Sequence, residues 1–194
     1  QTRESNYFPD TRQEPSINAV LSANSAVGRF FARVEGGRTV FYAGTRFDGV
    51  LRSSDSGRSW ERFSGGMEGE GLRVRSFADL NGVLYAGTHN GLYRLLPDAH
   101  SWQAVTTFPA GTIVRGLEVL NGRIYAGTFN TGLFVSDNGV TWNADVNFPQ
   151  GVAIYDLGPA GYRMTAGTDT GIWALHDTQW LQATVNGAAY SRGV

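Results

Sequence analysis

Four copies of one short run constrain this chain more than any other feature. Phe41-Tyr42-Ala43-Gly44-Thr45 returns as Leu84-Tyr85-Ala86-Gly87-Thr88, as Ile124-Tyr125-Ala126-Gly127-Thr128 and as Met164-Thr165-Ala166-Gly167-Thr168, at spacings of 43, 40 and 40 residues. A turn signal precedes each copy: Gly36-Gly37, Asn81-Gly82, Asn121-Gly122 and Ala160-Gly161, residues suited to the positive φ of a tight hairpin. Behind each copy a short loop leads to another apolar run, such as 91–95 or 132–135, and a further segment opens on Trp60, Trp102, Trp142 or Trp180. Each unit therefore predicts four strands, lettered A to D from the inside outwards. A four-stranded unit recurring every ~40 residues is the sequence signature of a propeller blade, and no helical periodicity competes with it.

The expected fold class is all-β, a β-propeller of four complete four-stranded blades with partial-blade strands on either side. The units fall at 25–63, 72–106, 112–147 and 152–186, the partial strands at 16–22 and 188–194, and residues 1–15 read as an extended arm ahead of a propeller at 16–194. Residues 17–21 resemble a D strand and 190–194 an A strand, so the chain runs D, then ABCD four times, then A. That leaves one blade unfinished. Three outcomes follow: a compact ring with overhanging ends, a piece of a propeller of roughly five to eight blades, or an open array whose blade another chain completes. The last two are preferred because they protect an exposed strand edge. The 26 glycines and 17% charged residues suit short strands joined by tight turns, and the 12% aromatic residues read as filler between stacked blades.

Bulk properties narrow the function classes. A net charge of −1 and a pI near 6.3 provide no general basic face for a nucleic-acid backbone. No apolar run approaches the ~20 residues of a spanning helix, and no signal peptide is visible. Zero cysteines exclude disulfides, thiol catalysis and thiolate metal sites. The start at Gln1 leads us to expect a processed protein that is secreted, periplasmic or at the cell surface.

Two C-to-D turns carry the pattern Ser/Thr-x-Asp-x-Gly-x-Ser/Thr-Trp. The first is complete, Ser53-Ser54-Asp55-Ser56-Gly57-Arg58-Ser59-Trp60; the third, Val135-Ser136-Asp137-Asn138-Gly139-Val140-Thr141-Trp142, lacks the first hydroxyl on that alignment. Decayed versions precede Trp102 and Trp180. The pattern resembles the Asp-box, or BNR, repeat family, and is similar to the propellers of sialidases, xyloglucan-active hydrolases, sortilin-type receptors and photosystem assembly factors. It covers about residues 25 to 185. For Asp55 and Asp137 the expected role is to staple turns: the carboxylate takes backbone N–H groups, Gly57 and Gly139 supply left-handed backbone, and Trp60 and Trp142 bury beside the turn.

No catalytic set emerges. The sialidase branch implies an arginine triad, a Tyr nucleophile and an acidic acid/base in six blades, and this chain has four units and no Arg-Ile-Pro segment before its first box. A glycosidase needs two carboxylates at a defined separation, yet Asp79, Glu118 and Asp156 occupy different repeat positions. His89, His100 and His176 read as solvated loop residues without metal-ligand spacing. Neither a cofactor nor a metal signature is present.

One constellation is a candidate binding site. Alignment of the A strands places Arg29, Arg75, Arg115 and Tyr155 at equivalent positions, with Arg192 near the same place in the unfinished copy. These lie at the rim opposite the Asp-boxes, where B-to-C loops add Arg46, Phe47, Asp48, His89, Asn90, Phe129, Asn130 and Asp169. The plainer reading, taken first, pairs each arginine with a nearby carboxylate or carbonyl. The sharper one is a cationic, aromatic funnel for an anionic ligand or acidic protein surface. The function expected is recognition or assembly without catalysis, with a protein or glycan partner on the loop face. The alternative is a glycoside hydrolase, sialidase-like or glucan-active, or a fragment of one.

Overall fold

The computed structural model describes residues 21–185 and 188–189; the expected arm, most of the strand at 16–22, and the strand residues beyond 189 lie outside them. Four antiparallel four-stranded sheets follow one another along the chain. The first is β1 (Val27–Glu35), β2 (Arg38–Thr45), β3 (Val50–Ser53) and β4 (Glu61–Arg62). The second is β5 (Val74–Leu80), β6 (Val83–Thr88), β7 (Gly91–Leu95) and β8 (Gln103–Ala104). The third is β9 (Val114–Leu120), β10 (Arg123–Thr128), β11 (Leu133–Ser136) and β12 (Asn143–Ala144). The fourth is β13 (Ile154–Ala160), β14 (Arg163–Thr168), β15 (Gly171–His176) and β16 (Gln179–Gln182), and a short ribbon of β17 (Thr184–Val185) with β18 (Ala188–Ala189) follows. Among the described residues no helix is long and apolar enough to cross a membrane.

The repeated run is the second strand of each sheet, and each of its small residues has a separate reason. Ala43, Ala86, Ala126 and Ala166 are fully buried in the blade stack. Gly44, Gly87 and Gly127 leave room for the first strand of the next sheet: an added Cβ would come within 2.8 Å of Val74, 2.7 Å of Val114 and 2.5 Å of Ile154, respectively. The threonine closes the following loop. Its hydroxyl donates to the carbonyl of Gly49, Gly91, Gly132 or Gly171 and accepts from the amide of Asp48, Asn90, Thr131 or Thr170.

The hairpins before the run use the residues expected, with one shift. Asn81-Gly82 and Asn121-Gly122 both have positive φ at both positions, the geometry that matches strand twist. In the fourth sheet Ala160 is the last paired residue, opposite Arg163, so the turn is Gly161-Tyr162 and not Ala160-Gly161. Gly161 alone supplies the positive φ there.

Three apolar cores lie between consecutive sheets. Val74, Phe77 and Trp102 pack onto Tyr42 and Val50; Val114, Leu117 and Trp142 onto Tyr85 and Leu92; Ile154, Leu157 and Trp180 onto Tyr125 and Leu133. The tryptophans therefore bind each blade to its predecessor. Trp102 Nε1 donates to Phe63 O at 2.8 Å, and Trp180 Nε1 to Asp145 Oδ2 at 3.1 Å, both in the preceding blade.

The C-to-D turns of the first and third blades are gathered by different side chains. Asp55 accepts from the Ser53 hydroxyl and from the Ser59 amide and hydroxyl, bonds to Ser59 that hold its carboxyl down at about 2; Trp60 Nε1 meets Gly57 O. In the third blade Asn138, not Asp137, does this work, accepting from the Val140 and Thr141 amides while Ser136 Oγ takes the Gly139 amide. That turn is one residue shorter. Ser136 pairs with Ile124 as Ser53 pairs with Phe41, so Ser136 is the missing hydroxyl and Asp137 is swung outward onto Arg123. Trp142 Nε1 still reaches Gly139 O.

Candidate functional site

Each inner strand is interrupted near its start by a one-residue bulge, which re-aims the extra side chain. The bulged residues are Gly28, Arg75, Arg115 and Tyr155. Arg29 therefore does not share the position of Arg75 and Arg115: it pairs with Gly44, as Ser76, Gly116 and Asp156 pair with Gly87, Gly127 and Gly167. The sequence alignment was one residue out because the first hairpin is longer: Gly44 lies further past the closing pair Glu35–Arg38 than Gly87 lies past Leu80–Val83. Arg29 nevertheless lines the same cavity of about 210 Å³, with Arg75, Arg115, Tyr155 and Asp156.

The arginines then divide by partner. Arg29 Nη2 meets Asp156 Oδ1 at 2.6 Å, spanning the channel from the first blade to the fourth, as the plainer reading expected. Arg75 and Arg115 have no carboxylate partner among the described residues. Arg75 Nε donates to His89 Nε2 at 2.9 Å, which requires the imidazole to be neutral at that nitrogen. Burial first, then the charges of Arg75 and Arg73, push His89 below its ordinary value. It is a mostly buried partner of Arg75, not a solvated loop residue. Burial and the nearby Arg115, Arg46 and Arg73 also lower Arg75, the electrostatic mark of cations gathered together.

Aromatic rings fill the spaces between these cations. The Arg115 guanidinium lies 4.6 Å from the Phe129 ring centre and 5.5 Å from that of Tyr155, while its buried Nε has no hydrogen-bond partner. Phe129 and Tyr155 contact each other at 5.9 Å, and both are exposed. Phe47 is held between Arg46 and Arg73 at 4.9 and 5.0 Å. Arg73 is the member that the strand alignment missed; it precedes β5 and makes an ion pair with Glu70 at 3.1 Å. The alternation Arg73-Val74-Arg75 was its signal.

Other expected members serve elsewhere. Asp48 is buried in the first blade, bonded to the Ser22 amide and hydroxyl and to Arg62. Asn90, Asn130 and Asp169 accept from the amides of Gly111, Ile113 and Ala153, fixing the approach to the next inner strand. Arg192 lies outside the described residues. Asp79, Glu118 and Asp156 line a further space of about 510 Å³ with Phe30, Phe77, Leu117 and Leu157. Asp79 is taken by Arg33 and the Gly82 amide, Asp156 by Arg29, and Glu118 is pushed up by burial and by Asp156. A cleft of about 520 Å³ between the first two blades holds Arg33, Glu35, Tyr42 and Arg52, whose charges are satisfied internally. Among the described residues no three His, Asp or Glu side chains gather as a metal site.

Four four-stranded sheets with inner strands lining a channel define a β-propeller fold. No family model and no curated protein matches the chain. Solved structures do. The extracellular domain of the one component system BT4673 from B. thetaiotaomicron is similar at a TM-score of 0.65 and 18% identity, over 89% of this chain and 24% of that one. An ancestral GH74 enzyme is similar at 0.65 and 17% identity, over 83% and 25%. YCF48 from Cyanidioschyzon merolae is similar at 0.55 and 16% identity, over 83% and 55%. The chain thus spans about a quarter of the length of the first two and about half of the third.

Proposed function

We propose that this chain is an Asp-box-type recognition propeller that binds a carboxylate-bearing protein segment at its cationic rim, without catalysis. The observation that carries this is the pair Arg75 and Arg115, brought together by equivalent bulges with no carboxylate of the described residues to neutralise them. A ligand carboxylate supplies the missing charge, and a guanidinium presents it with paired donors. Phe47, Phe129 and Tyr155 offer apolar contact beside it. The neighbours include an extracellular domain, which supports an extracellular or periplasmic setting.

Biolayer interferometry against a poly-glutamate peptide tests the proposal. Wild-type protein is expected to bind at 50 mM salt and to weaken at least tenfold at 500 mM, because exposed charges are screened. Arg75→Gln with Arg115→Gln should lose at least tenfold, while Arg58→Gln, on a C-to-D turn, should lose nothing. Equal binding by the wild type and both variants overturns it, and preference for a polyuronate over the peptide reassigns the partner to a glycan.

A hydrolase is the second reading, favoured by one observation: Glu118 is raised beside Asp156 in a shared space. Turnover of a sialoside or β-glucan that disappears in Glu118→Gln would replace the recognition role.

A further inference from the structure

The three inter-blade cores have a common pattern, and among the described residues the trailing face of the fourth blade lacks it. On the trailing side of each blade, a glycine and the apolar residue paired with it receive the next inner strand: Gly44 with Val50, Gly87 with Leu92, Gly127 with Leu133. Gly167 and Ile172 are the same pair in the fourth blade. No described residue lies within 4 Å of a Cβ built on Gly167, and Ile172 is 52% exposed where Val50, Leu92 and Leu133 are 0%, 2% and 2%.

The leading side of the first blade is bare in the complementary way. Phe30 pairs with Ala43 as Phe77, Leu117 and Leu157 pair with Ala86, Ala126 and Ala166. It is 62% exposed, against 7%, 5% and 4% for those three. Trp60, with no described blade before it, rests edge-on against Phe30 at 6.0 Å. The first blade is tied to the fourth through Arg29 and Asp156 and still brings no described residue against Gly167. That ion pair is solvent-exposed at both ends, and such pairs hold a geometry weakly.

We propose that the trailing face of the fourth blade, Gly167 and Ile172, docks the leading face of the first blade of a second copy of this chain, head to tail. Val27, Phe30 and Trp60 of that copy take the places that Val74, Phe77 and Trp102 take against the first blade. The contact continues an interface already built three times in the molecule, so its chemistry is specified: a β-branched residue on the glycine, and an aromatic ring beside the apolar partner. Such a contact is heterologous, with one face on each copy.

Single cysteines test this in a chain that has none of its own. At the built seams the Cβ on Gly44, Gly87 and Gly127 lies 3.1, 3.2 and 3.3 Å from the Cβ of Val74, Val114 and Ile154, close to the ~3.5–4.5 Å of a disulfide. Val27→Cys and Gly167→Cys, each purified alone and then mixed under mild oxidation, are expected to form a covalent dimer at least tenfold faster than either alone. Equal rates overturn the proposal, as does a double variant that oxidises within single chains and stays monomeric. Sedimentation of the unmodified protein at 100 μM supplies the second measurement. A dimer or larger species that becomes monomeric in Phe30→Asp, with far-ultraviolet dichroism unchanged, supports it; a monomeric wild type overturns it.

Discussion

Single side chains in this propeller are decided by turn length. In the first blade an aspartate two residues after Ser53 gathers the turn; in the third the residue two after Ser136 is Asn138, and its amide oxygen takes the same amides. Asn138→Ala should therefore lower stability by about 1 kcal/mol, the net worth of lost hydrogen bonds, whereas Asp137→Ala, on an exposed side chain, should stay within about 0.5 kcal/mol. Urea denaturation of the two variants gives the comparison. Asp48 is the residue whose protonation the fold resists most clearly. Burial alone would push its carboxyl up, but the hydroxyl and amide of Ser22 and the Arg62 guanidinium outweigh that and hold it at about 2, against 3.8 ordinarily. A lowered folded value means a contribution that is complete above pH ~4 and is lost as pH falls from about 4 to 2, worth about 2 kcal/mol. Thermal unfolding at stepped pH should show that loss in the wild type and a flatter profile in Asp48→Asn.

At the level of the strand, the second strand of each blade explains the repeat. Its alanine and glycine are small because a neighbouring sheet presses on them, and its threonine remains because the next loop hangs from the hydroxyl. The glycine requirement is thus conditional on a neighbour. Gly127→Val would place a side chain against Ile154 and should cost about 1–3 kcal/mol through overpacking. Gly167→Val meets no described residue and should be neutral within about 0.5 kcal/mol. Differential scanning calorimetry of the two single variants, at concentrations low enough to keep the chain monomeric, separates them. The bulges are the other feature at this scale. By adding one residue to each inner strand they turn Arg75, Arg115 and Tyr155 to one rim, so the rim proposed to bind is built from a backbone irregularity repeated blade after blade.

Taken whole, the molecule has three apolar seams and one polar crossing. The crossing by Arg29 and Asp156 sits beside the cationic rim, so the face proposed to bind and the seam proposed to dock share the channel. Charge is uneven in the same way: a net charge of −1 over the chain coexists with four arginines around one mouth, because carboxylates such as Glu35, Asp48 and Asp79 are consumed by structural pairs elsewhere. Loss of rim charge should change partner binding and leave the seams intact, while Phe30→Asp should act on association alone.

The sequence by itself determined the blade. Its period, its Asn-Gly hairpins, its Ala-Gly-Thr strand and its tryptophans are local signals, each tied to backbone conformation or to a contact made identically in every repeat. Only the tertiary structure decided three other matters. Arg29 was separated from Arg75 and Arg115 by the pairing of β1, because the longer first hairpin moves the bulge to Gly28 and leaves Arg29 in the ladder opposite Gly44. Asp137 lost the staple to Asn138 because the turn is counted from the end of the ladder and not from the tryptophan. The bare fourth seam, finally, depends on whether one blade's face meets another's. Gly167 carries the same three-residue signature as Gly44, Gly87 and Gly127, and what distinguishes it is that no described strand lies against it.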